Sequence, residues 1–226
     1  MFHELINLFY PRLCNICENE LVKNEPVVCS GCLHELPVTT YHLNNENPVK
    51  KVFYGRVDVE NATALLEFHK KSIVQKLIHQ LKYKGQQDIG TFLGKWMGTQ
   101  MQQSNNFKGV EMVIPVPLHK RKLKQRGYNQ VEKFGREISH ALLVPYNDTA
   151  LIKSSFSTTQ TIKARLARWG NMEESFILAD PAVVTNKHVL LVDDLITTGA
   201  TLEACSNILK EAGGVKISIA TMAIAG

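Results

Sequence analysis

Thirteen residues, VLLVDDLITTGAT from Val189 to Thr201, place two adjacent carboxylates ahead of a run of threonines and a glycine. If the apolar Val189–Val192 is a strand, Asp193 and Asp194 lie at its carboxyl end and the following residues lead into a helix. Backbone N–H groups at a helix start suit a phosphate, whereas carboxylates suit ribose hydroxyls and Mg²⁺. The residues that we expect to bind such a ligand are Asp193, Asp194, Thr197, Thr198, Gly199, Ala200 and Thr201.

Other interpretations of the acidic pair are weaker once its surroundings are considered. Two solvated aspartates at the end of a strand explain the pair alone equally well. A Walker B strand needs a G-x-x-x-x-G-K-[ST] loop upstream, and the nearest candidate, Gly85–Thr91, lacks the lysine. In a receiver domain the acidic pair lies near the start of roughly 100 residues of fold, but only 32 residues follow Asp194.

A second anion-binding candidate follows the apolar run Val110–Pro117, which we interpret as a buried strand. The basic loop after it would open at the same sheet edge as Asp193 if the two strands are parallel. Arginine can clamp phosphate oxygens with two hydrogen bonds, whereas lysines provide a diffuse field. A solvated loop is the plainer alternative, and single-stranded nucleic acid stacked on Tyr128 is another. The nucleic-acid candidates are Lys120, Arg121, Lys122, Lys124 and Tyr128.

Four cysteines form two C-x-x-C pairs, Cys14/Cys17 and Cys29/Cys32, separated by eleven residues. Four thiolates at this spacing predict a closed tetrahedral Zn²⁺ site that stabilises its module and leaves no coordination position for chemistry. A redox pair is the alternative. Cys205 falls on the apolar stripe of a predicted helix, so we expect it to pack in the core.

The pattern along the chain predicts three regions: a Cys₄ zinc module (1–45), a mainly helical connector or hood (46–109) and a ligand-binding domain (110–226). Apolar spacings of three and four residues from Phe53 to Met101 are typical of helices. Beyond residue 110, strands alternate with helices, which favours a parallel sheet flanked by helices. We also expect Lys82, Tyr83 and Lys84 to border the ligand site.

Composition limits where such a protein acts. The chain is 44% hydrophobic, carries a formal net charge of +5 and has no apolar run of the roughly 18 residues that a membrane span requires. Its N-terminus lacks the basic start and cleavage site of a secretory signal. We therefore expect a cytoplasmic protein without membrane insertion, whose oligomeric state the sequence does not indicate.

The 189–201 string resembles the signature with which type I phosphoribosyltransferases bind 5-phosphoribosyl 1-pyrophosphate (PRPP). PVPLHKRKLKQRGYNQ (115–130) and the paired cysteines narrow this to the ComF competence-protein family, including its GntX relatives. The resemblance implies a type I phosphoribosyltransferase fold behind a zinc-ribbon module and helical connector. It makes Asp193, Asp194 and Arg126 the catalytic candidates, and it gives these candidates for pyrophosphate binding and a covering lid: Arg121, Arg126, Gln160, Arg165 and Arg168.

The implied activity is Mg²⁺-dependent transfer of a phosphoribosyl group from PRPP to an unidentified acceptor, with release of pyrophosphate. The family also implies a link to natural transformation and the DNA-uptake machinery. The alternative is a non-enzymatic accessory protein that senses PRPP or binds single-stranded DNA. A zinc-ribbon DNA adaptor without a PRPP site leaves the 189–201 string unexplained.

Overall fold

The structure, a computed structural model, describes residues 11–153 and 176–226. Its helices are α1 (Ser30–His34), α2 (Pro48–Lys51), α3 (Ile73–Tyr83), α4 (Asp88–Gln103), α5 (Lys120–Arg126), α6 (Glu132–Leu142) and α7 (Ala200–Lys210). Its strands are β1 (Asn61–Phe68), β2 (Met112–Pro115), β3 (Leu151–Lys153), β4 (Phe176–Leu178), β5 (His188–Ile196) and β6 (Lys216–Ala225). Two short 3₁₀ turns lie at Asn105–Phe107 and Pro181–Val183.

The main sheet has four parallel strands in the order β1-β6-β5-β2, which confirms the predicted parallel α/β fold. Strands β3 and β4 form a separate antiparallel pair. The two central strands are apolar through most of their length, as expected for strands covered on both faces. Helices α3, α4 and α6 share one apolar core with the sheet, and α7 shares the other.

Helix α6 lies very close to α4 because glycines recur every four residues along α4. A Cβ at Gly94 would come within 2.7 Å of the Phe134 carbonyl oxygen, and one at Gly98 within 2.6 Å of the Ala141 Cβ. The two helices therefore approach each other more closely than larger side chains would allow. This contact fixes the position of α6, which follows the segment from β2 that contains Arg126 and Gln130.

The helical prediction for residues 53–101 is wrong at Asn61–Phe68, which form β1. Five of the eight residues of NATALLEF are apolar, and a short, mostly apolar run does not by itself distinguish a strand from a buried helix. Pairing with β6 decides the outcome, since Asn61 to Phe68 align with Ser218 to Ala225. The helical spacing itself corresponds to α3 and α4. The three-region division stays a prediction, although the connector contributes a strand to the same sheet as residues 110–226.

The predicted basic loop is also largely wrong, because Lys120–Arg126 form α5. Its residues are mostly good helix formers. His119 caps the start by accepting a hydrogen bond from the Arg121 N–H at 3.1 Å, and Gly127 ends the helix in the left-handed conformation at φ 84°. Because no residue of this helix is buried, its basic side chains are distributed around a helix that is exposed on all sides.

Within the described ranges, no helix has the length and apolar character to cross a membrane.

Candidate functional site

The acidic pair lies within β5 and not after it, because the strand runs four residues beyond the predicted end at Val192. Asp193 still pairs with Thr221 of β6. On the other side, the β2–β5 pairing stops at Pro115 and Val192. The pair therefore sits where β2 has already ended, at the carboxyl edge of the sheet. Ligands of parallel α/β sheets bind at this edge.

Protein groups engage both oxygens of Asp194. The Lys82 ammonium lies 2.7 Å from Oδ1, and the Gln130 Nε2 amide donates to Oδ2 at 2.5 Å. The Asp194 side chain is only 6% exposed. A buried carboxylate is tolerated when it is both paired and hydrogen-bonded, and Asp194 meets both conditions.

Asp193 has different surroundings. Its Oδ1 accepts a hydrogen bond from the Asp194 N–H at 2.8 Å. Burial, followed by the neighbouring Asp194 carboxylate, raises the pKa of Asp193 to about 8, although Lys82 and Lys153 oppose the rise. Strongly shifted carboxyl groups at a sheet edge are typical of functional sites.

The predicted phosphate loop joins β5 to the start of α7. Thr197 and Thr198 are exposed, and Gly199 is the N-cap of α7 with φ 75°. A Cβ at Gly199 would approach Val52 Cγ1 to 2.6 Å, so the position excludes any larger residue. The exposed threonine hydroxyls and the N–H groups at the start of α7 provide donors suited to a phosphate. Binding of a phosphate by this loop stays a prediction.

Arg56 contacts this loop through its guanidinium, and the sequence did not predict it as a site residue. Its Nη1 donates to the Thr198 carbonyl oxygen at 2.5 Å, and its Nη2 forms an ion pair with Glu203 of α7. No local motif marks Arg56, because its partners are more than 140 residues away along the chain. Packing of Val52 and Phe53 against Gly199 brings Arg56 to the loop.

Arg126, the predicted pyrophosphate ligand, is connected to the acidic pair by hydrogen bonds through one intermediate residue. Its guanidinium donates to Gln130 Oε1, and Gln130 in turn donates to Asp194. The guanidinium also lies 5.7 Å from the centre of the Tyr83 ring. Gln130 belongs to the RGYNQ string, but nothing in that string indicated a contact with Asp194.

The other basic candidates point away from this network. Lys120, Arg121, Lys122 and Lys124 are exposed on α5, which buries none of its residues. Tyr128 is half-buried and its hydroxyl donates to the Leu81 carbonyl oxygen, so the ring is committed to packing against α3. The lid candidates Gln160, Arg165 and Arg168 lie outside the described residues.

The four cysteines of the N-terminal module converge, as predicted. All four Sγ atoms lie within 4.8 Å of one another, and those of Cys17 and Cys29 are 3.6 Å apart. A tetrahedral zinc site with Zn–S bonds of about 2.3 Å places its sulfurs about 3.8 Å apart, so this donor set fits zinc. The Cys29 N–H donates to Cys14 Sγ at 3.3 Å, a contact that favours the thiolate. Among the described residues, this is the one group of three or more potential metal ligands.

Comparison with known proteins shows which families the chain resembles. Residues 132–225 match the phosphoribosyl transferase domain family, a range that includes α6, β5, the phosphate loop and β6. The DNA utilization protein YhgH of Shigella flexneri is 23% identical over 92% of this chain and 88% of its own. Competence protein F of Haemophilus influenzae is 27% identical over the same shares of the two chains. The domain match and these relatives support a phosphoribosyltransferase-fold protein similar to the ComF family.

Solved structures include the glutamine PRPP amidotransferase of B. subtilis, which is 21% identical with a TM-score of 0.42. The matched part is 62% of this chain and 30% of that chain. The domain match begins after the basic helix α5 and the cysteine module. Those two features therefore rest on the geometry described above.

Proposed function

We propose that this protein binds PRPP together with Mg²⁺ and transfers its phosphoribosyl group to an acceptor, with release of pyrophosphate. The observation that carries the proposal is the meeting of the acidic pair and the phosphate loop at the carboxyl edge of one parallel sheet. Both come from the continuous segment 189–201, so the ribose and 5-phosphate of one ligand could span them.

Different residues would bind different groups of PRPP. The 5-phosphate would accept hydrogen bonds from Thr197, Thr198 and the N–H groups at the start of α7. Asp193 would receive the ribose hydroxyls, and Arg126 would approach the pyrophosphate, to which its guanidinium can donate two hydrogen bonds. In the lid predicted from the sequence, Gln160, Arg165 and Arg168 would exclude water from the reacting carbon.

The Asp193 carboxylate together with substrate oxygens and water would form a ligand set that Mg²⁺ accepts, and Mg²⁺ would neutralise charge on the departing pyrophosphate. In the transfer, the bond from ribose C1 to the pyrophosphate oxygen breaks and a bond from C1 to the acceptor forms. The acceptor gives up one proton, and the bonding electrons leave with pyrophosphate. Position and charge suffice for such a reaction, so no covalent nucleophile is required.

Titration calorimetry of the zinc-loaded protein with PRPP, with and without Mg²⁺, tests binding. We expect binding that Mg²⁺ strengthens and that the double substitution Asp193→Asn/Asp194→Asn removes. A folded, zinc-loaded protein that shows no PRPP binding would refute the proposal. Release of pyrophosphate from PRPP, screened against bases, amines and nucleic acid, then separates catalysis from binding alone.

One observation favours a second function, an accessory role in DNA uptake through single-stranded DNA. Helix α5 exposes Lys120, Arg121, Lys122 and Lys124 and buries none of its residues, although a helix normally packs one face. An unpacked basic helix attracts the phosphates of a nucleic acid. The names of the relatives, which refer to DNA utilization and competence, agree with this role. PRPP binding and DNA binding would use different surfaces and can occur in one molecule.

A further inference from the structure

Lys82 contacts the acidic pair directly, although it comes from a helix more than 100 residues before Asp194 in the chain. Its ammonium is 2.7 Å from Asp194 Oδ1, and its side chain is 22% exposed. Gln130 holds Oδ2 of the same carboxylate. Asp194 therefore has an internal partner on each oxygen, and Asp193 is the member of the pair left to meet a ligand.

The position of Lys82 is fixed by its helix. The apolar face of α3 is buried through Val74, Leu77, Ile78 and Leu81. The Tyr128 hydroxyl donates to the Leu81 carbonyl oxygen, which ties the last turn of α3 to the segment that follows α5. A lysine in the last turn of a helix usually interacts with the helix dipole in solvent. Here the ammonium is directed into the sheet edge and reaches a buried carboxylate.

Charge gives this contact its importance. An ionised Asp194 without a partner would place a negative charge where PRPP, a polyanion, has to bind. The Lys82 ammonium cancels the charge of Asp194, and its field also lowers the pKa of Asp193 against the effects of burial. Inside a protein such charges interact strongly because the dielectric constant is low.

We propose that Lys82 is a positioning residue of the PRPP site, which neutralises and orients Asp194 so that the polyanion can approach Asp193. The proposal rests on the proposed function. It predicts that loss of Lys82 weakens PRPP binding most when Mg²⁺ is absent, because Mg²⁺ then no longer helps to neutralise the acidic pair. A residue that only supported the fold would affect binding equally with and without Mg²⁺.

The test is calorimetry with PRPP, in buffer freed of Mg²⁺ by a chelating resin and in the same buffer with Mg²⁺ added. The variants are Lys82→Met, Lys82→Arg and Lys76→Met. Lys76 is a matched control, because it is an exposed lysine on the same helix. In Lys82→Met we expect the factor by which Mg²⁺ strengthens binding to rise about tenfold, equivalent to one additional repulsive charge at the site.

Lys82→Arg and Lys76→Met should keep the wild-type factor. Equal weakening with and without Mg²⁺ in Lys82→Met, or no change at all, would overturn the proposal. If Lys82→Met does not fold, Lys82→Gln takes its place, with folding checked by thermal unfolding. Absence of PRPP binding by the wild-type protein would instead refute the proposed function itself.

Discussion

The Arg56 guanidinium donates a hydrogen bond to the carbonyl oxygen of Thr198, so a residue from before the first strand holds the candidate phosphate loop. The same guanidinium pairs with Glu203 one turn into α7. Arg56 thus fixes the loop to the helix whose N-terminus would face the phosphate.

Replacing Arg56 with methionine should weaken PRPP binding about tenfold, because the loop loses both contacts and has to be ordered when the ligand binds. Glu203→Gln is the matched control, since it removes the ion pair and leaves the hydrogen bond to Thr198. We expect it to change the affinity by less than about threefold, as partly exposed ion pairs contribute little. Equal affinities of Arg56→Met and wild type, measured by calorimetry, would exclude this role.

Gly199→Ala should both destabilise the protein and impair PRPP binding. The new Cβ would collide with Val52, and the backbone lies at φ 75°. Gly213→Ala is the control, because Gly213 has φ 82° but nothing within 4 Å of the added Cβ. The control should lose about 1 kcal/mol for its backbone conformation, and Gly199→Ala at least about 1 kcal/mol more for overpacking. Urea unfolding measures the difference, and identical midpoints would contradict the collision.

Asp193→Asn should stabilise the ligand-free protein, and more so as the pH rises. Burial raises the pKa of Asp193 to about 8, whereas an unfolded chain has an Asp pKa of about 3.9. Between these values the folded state retains a proton that the unfolded state has released, so wild-type stability falls as the pH rises from 4 to 8. The asparagine variant lacks this loss. Its thermal midpoint should exceed that of wild type by at least about 3 °C at pH 8, and by much less at pH 4.

The corresponding substitution at Asp194 should have the opposite effect on stability. Asp194→Asn leaves the Lys82 ammonium half-buried without its charge partner, so we expect a lower thermal midpoint at pH 8. If both asparagine variants shift the midpoint in the same direction, the two aspartates do not differ as described.

Zinc should be bound at one atom per chain, and Cys14→Ser should abolish it. Cys14 is buried and its Sγ lies among the three other sulfurs. Because metal binding contributes to folding, the thermal midpoint should fall by about 10 °C. Cys205→Ser buries a hydroxyl in the other core and should lower the midpoint while keeping the zinc. Metal analysis that finds full zinc in Cys14→Ser would rule out the four-sulfur site.

Reversing two charges on α5, with Lys120→Glu and Lys124→Glu, should weaken binding of single-stranded DNA and reduce its dependence on salt. A variant with the same charge change elsewhere, Lys95→Glu/Lys108→Glu, also alters exposed lysines and serves as the control. Fluorescence anisotropy over a range of salt concentrations compares them. Equal losses in the two variants would show a general effect of net charge and exclude α5 as the interface.

The sequence predicted the parts of the site that are continuous along the chain. Asp193, Asp194 and the glycine at the start of α7 occur in one short string whose apolar and polar pattern matches a strand, a turn and a helix. The cysteine pairs were predictable for the same reason, because their spacing alone limits how they can meet.

The remainder depends on contacts between distant segments. Lys82 was expected near the ligand, but its pairing with Asp194 requires knowing where α3 ends relative to β5. Strand β1 was missed because an apolar run is equally compatible with a helix, and only the edge of β6 selects the strand. Helix α5 was missed because a run of charged residues resembles a solvated loop, although its residue types favour a helix.

The position of β1 at the sheet edge has a consequence for how the chain acquires its structure. Among the described strands β1 pairs in the sheet with β6 alone, and nearly 150 residues separate the two. On a ribosome, β1 would therefore emerge well before its partner exists, with an apolar segment exposed until β6 is synthesised. Contacts so distant in sequence slow folding, and unpaired apolar strands promote aggregation. The nascent chain should consequently depend on chaperone protection until the last strand of the sheet has been added.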